Sequence, residues 1–175
     1  YAGKALSLSA DGTIVAIGSY RDAVNGFSTQ QGSGLTRIYQ YSSGSWSQLG
    51  TDIEGEAEGD LSGRSVSLSA DGTIVAIGAP WNEFYTGLTR IYQYSSGSWS
   101  QLGTDIEGDD ELIYSGSSVS LSSDGTTIAI GEPYDDSGGQ YSGNTRIYKF
   151  ASTSPTIDGQ SGSAGDATSS ISIAE

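Results

Sequence analysis

Twenty-two consecutive residues, Gly34 to Gly55 (GLTRIYQYSSGSWSQLGTDIEG), recur without a change as Gly87 to Gly108, so the fold must use one string twice. A second block, Ser7 to Gly18 (SLSADGTIVAIG), returns intact as Ser67 to Gly78 and in altered form as Ser120 to Gly131 (SLSSDGTTIAIG). Trp46 and Trp99 are 53 residues apart, Asp11 and Asp71 are 60, and Asp71 and Asp124 are 53. Periods of this length belong to stacked or radial repeats, in which one unit cannot bury its own apolar faces and needs its neighbours.

Strand signals come from period and punctuation. In the cleanest unit, Ser65-Val66-Ser67-Leu68-Ser69 alternates small polar with apolar residues, as a strand with one apolar face does. Asp71-Gly72 then predicts a tight hairpin of the primed type, where glycine tolerates positive φ. Thr73 to Gly78 is apolar on both faces and β-branched, which fits an inner strand covered from both sides. Thr89 to Tyr94 and Ser98 to Leu102, separated by Ser95-Ser96-Gly97, supply a third and a fourth strand.

Four short antiparallel strands per unit, joined by glycine-rich turns with no helical pattern, predict an all-β chain of β-propeller blades. The units are 1–55, 56–108 and 109–150, about three four-stranded repeats of which the last is incomplete, giving eleven strands. A β-solenoid is the rival, although its coils are usually much shorter. Three blades do not close a ring. Either the chain is a piece of a longer propeller, which the opening at Tyr1 within a repeat suggests, or separate chains combine to complete one. Residues 151–175, rich in Ser, Thr, Gly and Ala, read as a linker or tail, with Ile171-Ser172-Ile173 as the start of a further strand.

The run from Ser62-Gly63 through Arg64-Ser65-Val66-Ser67-Leu68 and an Asp-Gly turn to Ile77-Gly78-Ala79-Pro80 resembles the FG-GAP repeat of integrin α-subunit propellers. The resemblance spans about 150 residues and implies a propeller in an extracellular or cell-surface protein. Calcium-binding members carry an Asp-x-Asp-x-Asp-Gly loop, which here has shrunk to one carboxylate at Asp11, Asp71 or Asp124. One carboxylate per loop cannot make a cage of six to eight oxygens, so the usual calcium site is expected to be missing, calcium is left without support, and no cofactor is expected.

Composition removes whole classes of function. The formal charge is −14 and the chain has no histidine, cysteine or methionine. Such a chain repels phosphate backbones and anionic lipid, which argues against nucleic-acid partners. No apolar run is long enough for a helix to enter and span a bilayer. Without imidazole, thiol, nucleophile elbow or phosphate loop, an enzyme is not expected.

Binding chemistry is instead sought where the copies differ. The connections after the second strand carry Arg21 and Asp22, then Trp81, Asn82 and Glu83, then Tyr134, Asp135 and Asp136, at matching distances from the preceding glycine. An aromatic plane beside a carboxylate or amide suits a sugar, which stacks on the ring while its hydroxyls bond to the acid. The same residues can equally fold back on their own blade and cap turns. Asp109, Asp110 and Glu111 could join Asp135 and Asp136 around a hard cation, or be solvated loop charge. Arg37, Arg90 and Arg146 are expected to pair with acids of their own or the neighbouring blade. Trp46 and Trp99, in identical outer strands, are expected to serve blade packing rather than as sugar platforms. The expected function is a non-enzymatic extracellular module that binds protein or glycan at the loop face and other blades of its own or a neighbouring chain. The alternative is a structural subunit of an extracellular filament, sheath or coat.

Overall fold

The computed structural model describes residues 2–20, 32–140 and 142–150, together with the backbone of a strand at 167–172. It is all-β, built from three antiparallel sheets that follow one another along the chain. The first contains β1 (Ala5–Leu8), β2 (Ile14–Ser19), β3 (Leu35–Ser42), β4 (Ser45–Gln48) and β5 (Ile53–Glu54). The second repeats it as β6 (Ser65–Leu68), β7 (Ile74–Ala79), β8 (Leu88–Ser95), β9 (Ser98–Gln101) and β10 (Ile106–Glu107). The third has β11 (Ser118–Leu121), β12 (Thr127–Glu132), β13 (Asn144–Lys149) and β14 (Ala167–Ser172). Among the described residues no helix is long and apolar enough to cross a membrane.

Among the described residues there are fourteen strands where the sequence suggested eleven, and the physical reason is local. β4 and β5 both pair with β3, at Tyr39–Ser42 and at Leu35–Thr36, so they are one outer strand broken in two. The break falls at Gly50, whose φ of 77° takes it out of the extended region. β9 and β10 repeat the arrangement around Gly103. In the third sheet, Ala167–Ser172 lies within the stretch read as a tail and pairs antiparallel with β13, completing four strands.

The Asp-Gly hairpins also differ from the two-residue primed turn. Ser69 N donates to Ile74 O at 2.9 Å and Gly72 N to Ser69 O at 3.0 Å, so four residues form the connection. The Asp71 carboxylate accepts from Ser69 Oγ (2.6 Å) and Thr73 N (3.0 Å), while Ser69 Oγ accepts from Ile74 N (3.0 Å). Ser9-Asp11-Thr13 and Ser122-Asp124-Thr126 make the same lattice. The serine two residues before the aspartate is therefore as much part of the turn as the glycine after it.

The core lies between sheets. One cluster joins Ile14, Ala16, Ile38 and Ile53 of the first sheet to Val66, Leu68, Val75 and Ile77 of the second. The other joins Ile74, Ala76, Ile91 and Ile106 of the second sheet to Ile128, Ile130, Tyr148 and Phe150 of the third. The junctions are stitched by Leu68 N donating to Ser7 Oγ and Leu121 N to Ser67 Oγ, both at 2.9 Å. Turn meets turn through Ala10 N to Ala70 O and Ala70 N to Ser123 O, both at 2.8 Å. The small serines of the first strands thus let neighbouring strands approach and bond.

Arginines pair across the same junctions. Arg90, its side chain 5% exposed, bonds to Asp105 of its own sheet and, at 2.8 Å, to Glu56 of the segment before it. Arg146 repeats the second contact with Asp109 at 2.8 Å. Arg37 pairs with Asp52.

Candidate functional site

The connections after the second strand of the second and third sheets share one rim. Trp81 and Tyr134 occupy equivalent positions and are joined by two rings that the sequence did not single out. Trp81 meets Tyr85 edge-on at 5.7 Å between centroids, Tyr85 stacks on Tyr114 at 5.1 Å and 21°, and Tyr114 meets Tyr134 at 5.0 Å. Aromatic pairs favour offset and edge-to-face packing at such separations. The four rings form a continuous band whose two ends, Trp81 and Tyr134, are exposed.

Backbone conformation sets the band. Glu83, Phe84 and Tyr85 have φ of 40°, 53° and 66°, a left-handed turn that residues with side chains seldom adopt. It is closed by Thr86 N to Glu83 O and Gly87 N to Asn82 O, both at 3.1 Å. The turn directs Phe84 outward, 79% exposed, and places Tyr85 between Trp81 and Tyr114.

Beside the band lies a cavity of about 490 Å³ lined by Glu56, Glu58, Asp60, Trp81, Glu83 and Tyr85 among others. Asp60, 4% exposed, is fixed from two sides, accepting from Asn82 Nδ2 and Ala57 N at 3.1 Å each. Asn82 therefore orients a carboxylate. Glu56 faces Arg90, and Glu83 is exposed. Among the described residues lining the cavity there is no lysine or arginine.

Asp135 and Asp136 stand apart from this cavity. Asp135 loses hydration, which favours its neutral form, but bonds from Ser137 and Asn144 outweigh that and hold its carboxyl below the usual range. It caps its turn, as the blander reading of the sequence has it. Arg21 and Asp22 lie outside the described residues. Asp109 is engaged by Arg146, and among the described residues no group of three or more metal-ligating side chains converges.

Glu132 is a further group that the sequence reading missed. Its side chain is fully buried against Arg146, and desolvation pushes its carboxyl above the usual range despite the guanidinium. The copies hold Ser19 and Ala79 at this position, and that departure was the available signal. No described acid stands at the place of Asp52 and Asp105 in the third sheet, and Glu132 supplies the countercharge.

No protein-family model and no curated protein matches the chain. Solved structures do resemble the fold. One is the crystal structure of a putative 6-phosphogluconolactonase from Bacteroides uniformis, with a TM-score of 0.55 and 16% identity over 87% of this chain. The chain spans 38% of that protein's length. Against the expectation of a non-enzymatic binding module or filament subunit, the fold recurs in a protein named as an enzyme, and the likeness gives no support to an adhesion role. The lack of histidine and cysteine does not by itself exclude proton-transfer chemistry. Carboxylates alone can move protons, and a buried, oriented one such as Asp60 is not visible as a motif.

Proposed function

We propose that the three sheets are blades of a β-propeller enzyme that hydrolyses an uncharged sugar derivative, of the lactone class, at the rim beside Trp81. The propeller reading is supported by first strands that lie side by side across both junctions, and by turns bonded in series from sheet to sheet. The FG-GAP resemblance belongs with this proposal, resting on the repeated strand, Asp-Gly turn and strand.

The observation that carries the function is Asp60, buried in the wall of a cavity and oriented by Asn82, next to exposed Trp81 and Glu83. Asp60 accepts a proton from the attacking water and returns it to the ring oxygen as the acyl C–O bond breaks, while exposed Glu83 accepts hydrogen bonds from the sugar hydroxyls. Trp81 covers the apolar face of the sugar ring. Charge sets the substrate apart from that in the Bacteroides protein's name. Among the described lining residues a phosphorylated lactone would meet carboxylates and no cation.

The test is hydrolysis of an uncharged aldonolactone, measured above its spontaneous rate and compared with the 6-phosphorylated form. The uncharged lactone is expected to be turned over faster. Asp60→Asn is expected to lower kcat by about 100-fold, within the usual range for general acid–base groups. Absence of acceleration, or an Asp60→Asn variant as active as the parent, would overturn the proposal.

A further inference from the structure

The turn that places Trp81 and Tyr85 is held from outside its own sheet. Glu83, Phe84 and Tyr85 follow one another at positive φ, and backbone of that kind persists only where its surroundings fix it. The bonds within the turn, Thr86 N to Glu83 O and Gly87 N to Asn82 O, are 3.1 Å long. Those that reach it from the segment entering the third sheet are shorter. Tyr114 N donates to Tyr85 O at 2.8 Å and Ser115 N to Thr86 O at 2.9 Å. A parallel bridge between Gly87 and Ser115 continues the pairing, and a Cβ on Gly87 would strike Ser115 O.

Tyr114 is itself anchored. Its φ is 57°, and its carbonyl accepts from Ser117 Oγ at 2.7 Å and from Ser117 N at 3.1 Å. From that base its ring lies on the ring of Tyr85, 21° from parallel, and Tyr85 in turn meets Trp81.

The first junction shows the same segment without such a ring. Ser62 and Ser115 are each bridged to the glycine before the third strand, so Leu61 and Tyr114 hold one place, and Asp60 and Ile113 the place before it. Leu61 has a φ of 55° and is 1% exposed, so an aliphatic side chain meets both the backbone and the packing needs of this place. Tyr114 departs from the copy by presenting a ring to the rim. Ile113 is as buried as Asp60, so packing alone does not call for an acid there either.

We infer that Tyr114 is a positioning residue for the site at Asp60. Through Tyr85 it fixes Trp81 beside the cavity, so a pocket on the second sheet is completed by the segment that enters the third. Tyr114 is not among the described residues lining the cavity and acts only through its neighbours. Its catalytic consequence rests on the proposed lactone hydrolysis, whereas its hold on the turn does not. Trp81 covers the sugar before and during the reaction alike, so loosening it weakens binding without slowing bound substrate.

The test compares Tyr114→Leu and Tyr114→Phe with the parent. Leucine is the side chain that the first junction already accommodates, and phenylalanine keeps the ring. With an uncharged aldonolactone, Tyr114→Leu is expected to raise KM about tenfold while kcat stays within about twofold, and Tyr114→Phe to keep the parent KM. The second readout needs no activity. Chymotrypsin nicking after Phe84 and Tyr85, followed by mass spectrometry, is expected to be about tenfold faster in Tyr114→Leu than in the other two, because the turn opens locally. Nicking after Tyr41, exposed on the first sheet, is expected to be equal in all three. An active parent whose KM and nicking are both unchanged in Tyr114→Leu overturns the inference and leaves the reading at Asp60 standing. A KM raised equally by leucine and phenylalanine also overturns it, since the ring is then not what matters. A parent that does not hydrolyse the lactone overturns the reading at Asp60, and faster nicking in Tyr114→Leu alone then still upholds the hold on the turn.

Discussion

Ser7 Oγ accepts the backbone N–H of Leu68 at 2.9 Å across the first junction, and Ser67 Oγ does the same for Leu121 across the second. In a repeat fold the edge strand of each sheet carries backbone donors that need partners. A serine at alternate positions supplies them without the bulk that would hold the sheets apart.

Ser67→Ala leaves the Leu121 N–H facing a methyl group. A loss of about 1 kcal/mol in urea unfolding is expected, the usual net value of such a bond. Ser120→Ala, on the outer face, is expected to be silent while the chain is a single copy.

Acid should loosen the turns. Bonds from Ser122 Oγ, Thr126 N and Thr126 Oγ1 lower the Asp124 carboxyl to about 2, and the Asp11 carboxyl is lowered by its Thr13 and Ser9 bonds. At Asp71 desolvation works the other way, but bonds from Ser69 and Thr73 outweigh it. A carboxyl lowered by folding contributes stability that is fully present above its unfolded value near 4 and is lost as pH falls through its folded value. Melting temperature should therefore drop between about pH 4 and pH 2. Asp124→Asn should flatten part of that drop, and a parent with the same melting temperature at both pH values would contradict this role.

Identical pairs in different surroundings should differ in worth. The Arg90 side chain is 5% exposed and Arg37's is 38% exposed, although each faces the same aspartate of its own repeat. Asp105→Asn leaves a buried guanidinium with Glu56 alone and should cost about 2 to 3 kcal/mol, the lower side of the range for breaking a buried pair. Asp52→Asn should cost less than about 1 kcal/mol, as exposed pairs do. Urea denaturation of both variants at neutral pH measures the contrast, and equal losses would contradict it.

The repeat, the strands and the variable connections were legible because strand periodicity and turn glycines act locally. The string Ile-Val-Ala-Ile-Gly reads as a strand covered on both faces, and in β7 every residue is buried. In β2 the same residues alternate between buried and half-buried, because among the described residues a sheet packs on one face alone. Burial here depends on position in the array, which identical letters cannot encode. Trp81 and Tyr134 were legible as differences between copies. Tyr85 and Tyr114, which link them, were not, since their places depend on left-handed backbone at Glu83 to Tyr85 and at Tyr114 itself. Asp60 was hidden for a related reason: Asn82, 22 residues away in sequence, is what orients it.

Each sheet stays dry only against the next, and two tryptophans in identical strings distinguish this from sheets that fold independently. Urea unfolding should be compared for Trp99→Ala and Trp46→Ala at concentrations where the chain sediments as a single copy. Trp99→Ala, which empties a filled junction, is expected to lose about 2 to 4 kcal/mol, and Trp46→Ala less than about 0.5 kcal/mol. Equal losses from the two would mean that burial does not depend on the neighbouring sheet.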